Sequence, residues 1–189
     1  MRACLFVVLI SMAFAASAQL KYEKEVRVKP SNVPSAAIAF VDRMQLERKV
    51  KWFKETGIDR SSFEAKTKHQ GQRLSIEFSV DGRFEDLEVK IGQDDMSGTA
   101  HAKVRQYLES AHLFYRIKKV QVQYSGGSDT VWEFFVGGVR SELLIVRYEL
   151  VVSAKHKGSF AMYEYLFSEE GDFLQRARIT LSVTDNIEY

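Results

Sequence analysis

Cysteine is all but missing from this chain: the single thiol, Cys4, sits in the apolar N-terminal segment. Whatever follows that segment has no disulfide, no thiol nucleophile and no thiolate metal site, so its stability must come from an ordinary core. Histidine is scarce as well, with only His69, His101, His112 and His156. None forms a helical two-histidine pair with an acidic partner, the spacing a zinc helix needs. No Gly-x-Ser-x-Gly occurs, and neither Gly126-Gly127 nor Gly137-Gly138 has the strand, lysine and helix of a phosphate loop. Asp94-Asp95 is the one acidic pair just before a predicted helix, where capping accounts for it. The expectation is a protein with no catalytic residues, no cofactor and no metal, and so not an enzyme.

Long hydrophobic runs are missing after residue 15. Before it, Met1-Arg2, the apolar stretch from Leu5 to Ala15 and Ala16-Ser17-Ala18 have the order of a cleavable secretory signal. The run is too short for a membrane span, which needs about twenty apolar residues. Residues 1–18 are therefore expected to be removed on export, leaving 171 of the 189 residues in the periplasm or outside the cell. No transmembrane segment is expected. Charge of one sign is lacking too. The formal net charge is only +2, and the longest basic cluster, residues 116–119, is interrupted by Ile117. That pattern excludes the dense basic stripe of a nucleic-acid surface.

What the chain has is a repeated order of residues. Phe63-Glu64-Ala65, Lys68-His69-Gln70-Gly71, Gly82-Arg83-Phe84 and Ile91 recur as Tyr148-Glu149-Leu150, Lys155-His156-Lys157-Gly158, Gly171-Asp172-Phe173 and Ile179. Repetition of this kind means one structural unit used twice. Ala37, Phe40, Val41 and Met44 form a helical stripe after Pro34, and residues 50–56 and 62–68 read as strands. Between Arg73 and Val80 the alternation is clean: Leu74, Ile76, Phe78 and Val80 share one face, and Arg73, Ser75, Glu77 and Ser79 the other, which is expected to meet water. Asp81-Gly82 predicts a tight hairpin, and the three-residue step from Phe84 to Leu87 predicts a bulge. A second helix, capped by Asp95 or Ser97, carries Ala102, Val104, Tyr107, Leu108 and Ala111, and a strand through Val120, Val122 and Tyr124 follows. The two repeats diverge at residues 125–141, where Val131–Val136 reads as an inserted strand. Strands from Leu143 to Ser153 and Phe160 to Phe167 come next. The last places Phe173, Ala177, Ile179, Leu181 and Val183 on one face.

The expected architecture is α+β: two tandem units, each a helix packed on an antiparallel β-meander, with one continuous sheet as a way to join them. The expected boundaries are a signal at 1–18, a lead or edge strand at 19–32, a first unit at 33–93 and a second at 94–189. Val33-Pro34 opening a helix, then Val50-Lys51-Trp52, Phe63-Glu64-Ala65 and Val80-Asp81-Gly82-Arg83 resemble the PepSY-like domains. Those domains are similar to β-lactamase-inhibitory protein and are common in exported proteins of Bacteroidota. The resemblance covers most of residues 33–91 and, more loosely, 97–180. It implies a periplasmic or secreted non-enzymatic domain, with a helix on an antiparallel sheet, used in tandem.

Read as an extended strand, Trp132, Phe134 and Val136 point one way and Val131 and Phe135 the other, apolar on both sides. One explanation is burial between the two units. The other makes Trp132, Phe134 and Phe135 anchors for an envelope protein or peptide. The expected function is thus an exported binding or inhibitory module. The alternative is a carrier whose apolar cavity is lined by Trp52, Phe78, Trp132 and Tyr148.

Overall fold

The computed structural model describes residues 19–58 and 60–180. The expected signal and the expected strand residues Leu181 and Val183 lie outside these. In chain order the elements are β1 (Gln19–Lys21), β2 (Glu23–Val28), α1 (Ser35–Arg43), β3 (Lys51–Gly57), β4 (Ser61–His69), β5 (Gln72–Ser79) and β6 (Phe84–Ile91). Then come α2 (Gly98–Ala111), β7 (Tyr115–Ser125), α3 (Ser128–Gly137), β8 (Ile145–His156), β9 (Ser159–Ser168) and β10 (Phe173–Ile179). All the strands belong to one sheet, in the order β1-β10-β9-β8-β7-β6-β5-β4-β3-β2. The class is α+β.

That order closes on itself. β1 and β2 stand at opposite ends of the sheet, yet only Tyr22 separates them in the chain. Residues 19–28 therefore run as one strand that pairs with β10 at its start and β3 afterwards, which makes the sheet a barrel. Counted this way the ring has nine strands. An odd number of up-and-down strands cannot close with antiparallel pairs alone, so one pair must be parallel. β1 with β10 is that pair.

The helices pack on the outer face. Ala37, Phe40 and Val41 of α1 bury against Trp52, Phe63, Leu74, Ile76, Phe78 and Leu87. Ala100, Val104 and Leu108 of α2 bury against Val120, Leu150, Val152, Tyr165 and Phe167. Each cluster joins one amphipathic helix to the alternate residues of four strands, and apolar burial of this kind is the main stabilising term. The polar alternation on β5 was expected to face water, and this is corrected: Ser75 is buried and pairs across the sheet with Glu88. With the helices outside, the opposite face is covered by the curl of the sheet itself.

The hairpin at Gly82 and the bulge opposite Glu77 and Phe78 form as expected. Its counterpart around Gly171 has the same hydrogen bonds: Ser79 N donates to Arg83 O and Ser168 N to Asp172 O, while Gly82 N donates to Ser79 O and Gly171 N to Ser168 O. A second bulge follows Phe173. It overturns the expected last strand, because one extra residue reverses every later side chain. Phe173 stacks on Tyr107 at 4.4 Å on the helix side, whereas Ala177 lies opposite Glu164 on the inner face.

Candidate interaction surfaces

The segment at 125–141 holds the largest departure from the sequence expectation: Val131–Val136 is helix α3, not a strand. Asp129 favours the first turn, and Gly138 ends the helix with its N–H bonded to Phe134 O while Val139 N–H bonds to Glu133 O. Helical spacing then groups Val131, Phe134 and Phe135 rather than Trp132, Phe134 and Val136. Val131 is fully buried in the α1 cluster. Trp132, Phe134 and Phe135 are half-buried against the same cluster. Trp132 Nε1 donates to Arg43 O at 3.2 Å, and the Arg43 guanidinium lies 4.5 Å from its ring. Phe134 meets Tyr124 at 5.0 Å, and Phe135 meets His69 at 5.5 Å. The three predicted contact residues thus fasten α3 to the barrel.

Next to them is an apolar surface that the sequence did not single out. Val136 and Val139 are half exposed and Leu143 is 72% exposed, with Ile145 exposed at the start of β8. Leu144, between two of these, is buried. Val136, Val139 and Leu143 are thereby exposed beside a packed helix, whereas Ile145, opposite Ser125 and in register with Asp86, falls on the inner-face side of its strand.

The second surface is the inner face of the barrel. Glu64, Glu88 and Glu149 are each at most 8% exposed there, with Glu77, Asp86 and Glu164 beside them. Register explains the gathering, since Glu64 pairs with Glu77, Glu77 with Asp86, and Gln121 with Glu149. Gln121 Nε2 donates to Glu88, which also shares a hydrogen bond with Glu149. Gln123 Nε2 donates to Asp86 at 3.1 Å. Lys21 Nζ reaches Glu164 at 2.7 Å, and its charge also bears on Glu77, Asp86 and Glu149 across the barrel. Lys119 lies 3.7 Å from Glu149.

Burial drives the ionisation of this group. Loss of water, reinforced by Asp86 and Glu64, pushes Glu77 up to about 8, and burial with Glu149 and Glu85 pushes Asp86 to about 7. Burial and the neighbouring charges of Glu149 and Asp86 hold Glu88 well above the carboxylate range. Burial and Glu164 raise Glu149. Glu64 goes the other way: burial would raise it, but the Lys66 ammonium and hydrogen bonds from Glu55 and Ser75 outweigh that. Carboxylate oxygens of Glu25, Glu55 and Glu64 lie within 4.8 Å of one another, close enough to hold a cation. Lys66 Nζ already bridges two of them, at 2.5 Å from Glu25 and 2.9 Å from Glu64.

The residues named for an apolar carrier cavity fall in two packed clusters. Trp52 and Phe78 belong to the α1 cluster, 5.8 Å apart ring to ring, while Tyr148 belongs to the α2 cluster. Among the described residues no helix is long and apolar enough to cross a membrane.

No protein-family model matches the chain, and no curated protein matches it. Its fold is similar to solved structures from Bacteroides. A BLIP-like protein from Bacteroides fragilis is 13% identical with a TM-score of 0.50, over 81% of this chain and 91% of that one. A DUF2874 family protein from Bacteroides ovatus is 11% identical with a TM-score of 0.50, over 77% and 87%. A candidate periplasmic protein from Bacteroides eggerthii is 12% identical with a TM-score of 0.51, over 80% and 93%. At these identities the likeness is one of fold, and the fold is BLIP-like.

Proposed function

We propose that this protein is an exported, non-enzymatic binding module that engages a protein or peptide of the cell envelope. Export rests on the signal-like residues 1–18, and a candidate periplasmic protein shares the fold. The tandem PepSY-like reading, with its units at 33–93 and 94–189, draws support from the element order. A helix and four strands (α1, β3 to β6) are followed by another helix and four (α2, β7 to β10), with matching turns and bulges.

The observation that carries the binding assignment is the exposure of the apolar residues Val136, Val139 and Leu143 on and beside α3. An interface core is built from such side chains around a few anchors. Trp132, Phe134 and Phe135 shape that surface from beneath and hold it rigid, which lowers the ordering cost of binding.

The packing dictates the experiment. Trp132→Ala and Phe134→Ala remove core contacts, so each should lower the melting temperature, by about 2 kcal/mol in stability. Leu143→Ser and Val139→Ser change exposed side chains and should shift stability by less than about 0.5 kcal/mol. The measurement is retention of a specific partner from an envelope extract by wild type and by the folded Leu143→Ser/Val139→Ser variant. Loss of the partner in that variant supports the assignment. Equal retention removes the patch from it.

A further inference from the structure

One end of the barrel carries a cluster of cations with no ion-pair partner among the described residues. A groove of about 430 Å³ opens where β2 and β3 diverge as the chain leaves for α1. It is lined by Arg27, Lys29, Lys49 and Lys51, with Pro30 and the nearly buried Trp52 supplying apolar wall. All four cations are exposed, and none has an ion-pair partner among the described residues.

The charge continues along the sheet. Thr67 Oγ1 donates to Arg48 O at 3.0 Å, which ties the groove's edge to the end of β4. There Lys68 stands directly opposite Arg73, and two residues back along β4 Lys66 stands opposite Lys51. Like charges paired across strands destabilise a sheet. Lys66 is neutralised by Glu25 and Glu64, whereas Lys68 and Arg73 have no ion pair among the described residues. Carboxylates stand further in along the same strands, at Glu25, Glu55, Glu64 and Glu77, and leave this end basic.

We propose that this groove binds a ligand carrying two or more closely spaced phosphate groups. Four unpaired cations in one groove call for an anion of matching multiple charge, which a single carboxylate does not supply. An arginine fork beside mobile lysine ammoniums suits phosphate oxygens. The volume lies in the range of small-ligand sites. Two sources offer this chemistry: a soluble phosphoanhydride, or phosphate headgroups on a lipid surface. The groove's lining includes none of Val136, Val139 or Leu143, so it stands or falls apart from the apolar patch.

The test is calorimetric titration of the protein, residues 19–189, with inorganic pyrophosphate at low ionic strength. Flotation with phosphatidylcholine vesicles, with and without phosphatidate, runs beside it. Arg27→Gln/Lys51→Gln should weaken pyrophosphate binding about tenfold or more, while Arg105→Gln on α2 leaves it unchanged. Because the substituted residues are exposed and mutually repelling, the double variant should melt no lower than wild type. If it does melt lower, Lys29→Gln and Lys49→Gln replace it in the comparison. Binding to phosphatidate vesicles that depends on the same residues assigns the headgroup source, and pyrophosphate binding alone assigns the soluble one. Wild type that takes up neither probe, or groove variants that bind as wild type does, overturns the proposal.

Discussion

Replacing Glu88 with Gln should raise the melting temperature by several degrees at about pH 8 and change it little at about pH 5. Glu88 is held well above its ordinary value of 4.5 by burial and by Glu149 and Asp86, with Glu77 adding to that and Lys119 opposing it. A carboxyl that binds its proton more tightly folded than unfolded stabilises the fold fully below its unfolded pKa. That contribution is lost as pH rises through the folded value. Glu77, at about 8, and Asp86, at about 7, have the same sign, as does Glu149. Wild type should therefore lose stability from roughly pH 4.5 to pH 8, at about 1.4 kcal/mol per pH unit for each net proton.

Glu64 opposes this only at the acid end: its lowered pKa gives a contribution present above the unfolded value and lost as pH falls below it. The stability maximum should accordingly lie on the acid side of neutral. Glutamine at 88 keeps an oxygen to accept from Gln121 and an N–H₂ to donate to Glu149, and it never ionises. Thermal melts across this range decide the matter. Parallel pH slopes for wild type and variant would show that the inner carboxyls share protons in some other way.

Gly171→Ala should be strongly damaging for a single methyl, costing on the order of 3 kcal/mol. Gly171 has φ +87°, and a Cβ there would fall 2.6 Å from Ala100 O and 2.7 Å from Ala100 Cα. Backbone at the start of α2 cannot move aside without shifting Val104 and Leu108 in the core beneath. Gly82, with φ +84°, abuts α1 in the same way, but its Cβ would meet the Pro34 ring at 2.6 Å rather than backbone. Gly82→Ala should thus cost less. Denaturant melts of the two variants give the order, and a Gly82→Ala loss equal to or larger than that of Gly171→Ala would contradict the contact geometry.

These two glycines mark what the sequence makes plain. Gly82-Arg83-Phe84 and Gly171-Asp172-Phe173 stand out because a hairpin tip against a helix start admits only one residue type. Strands such as Leu74-Ile76-Phe78 are legible because alternation is a local signal. The helix at 128–137 was misread because a short apolar run does not separate strand from helix. Its caps, Asp129 and Gly138, were the better signal. Glu64, Glu77, Asp86, Glu88 and Glu149 went unnoticed for a different reason. Each reads as the wet side of an amphipathic strand until the ring closes, and closure depends on pairing between residues at opposite ends of the chain. The basic groove depends on the same distant geometry, since its lysines look like any solvated surface when read in order.

The parallel pair that closes the barrel also fixes a sequence of events. Gln19 is paired with Ala177 and Lys21 with Ile179, so β1 cannot complete its pairing until β10, more than 150 residues later in the chain, is in place. Strands β3 to β6 with α1 can assemble from neighbours in the chain, and β7 to β10 with α2 can follow. Until the final strand is free, the acidic lining stays in contact with water and the edges of β3 and β10 are open to foreign strands. Sealing the ring is then the step that removes the last open edges of the sheet. It closes the sheet on itself and takes the carboxyls out of solvent in the same stroke.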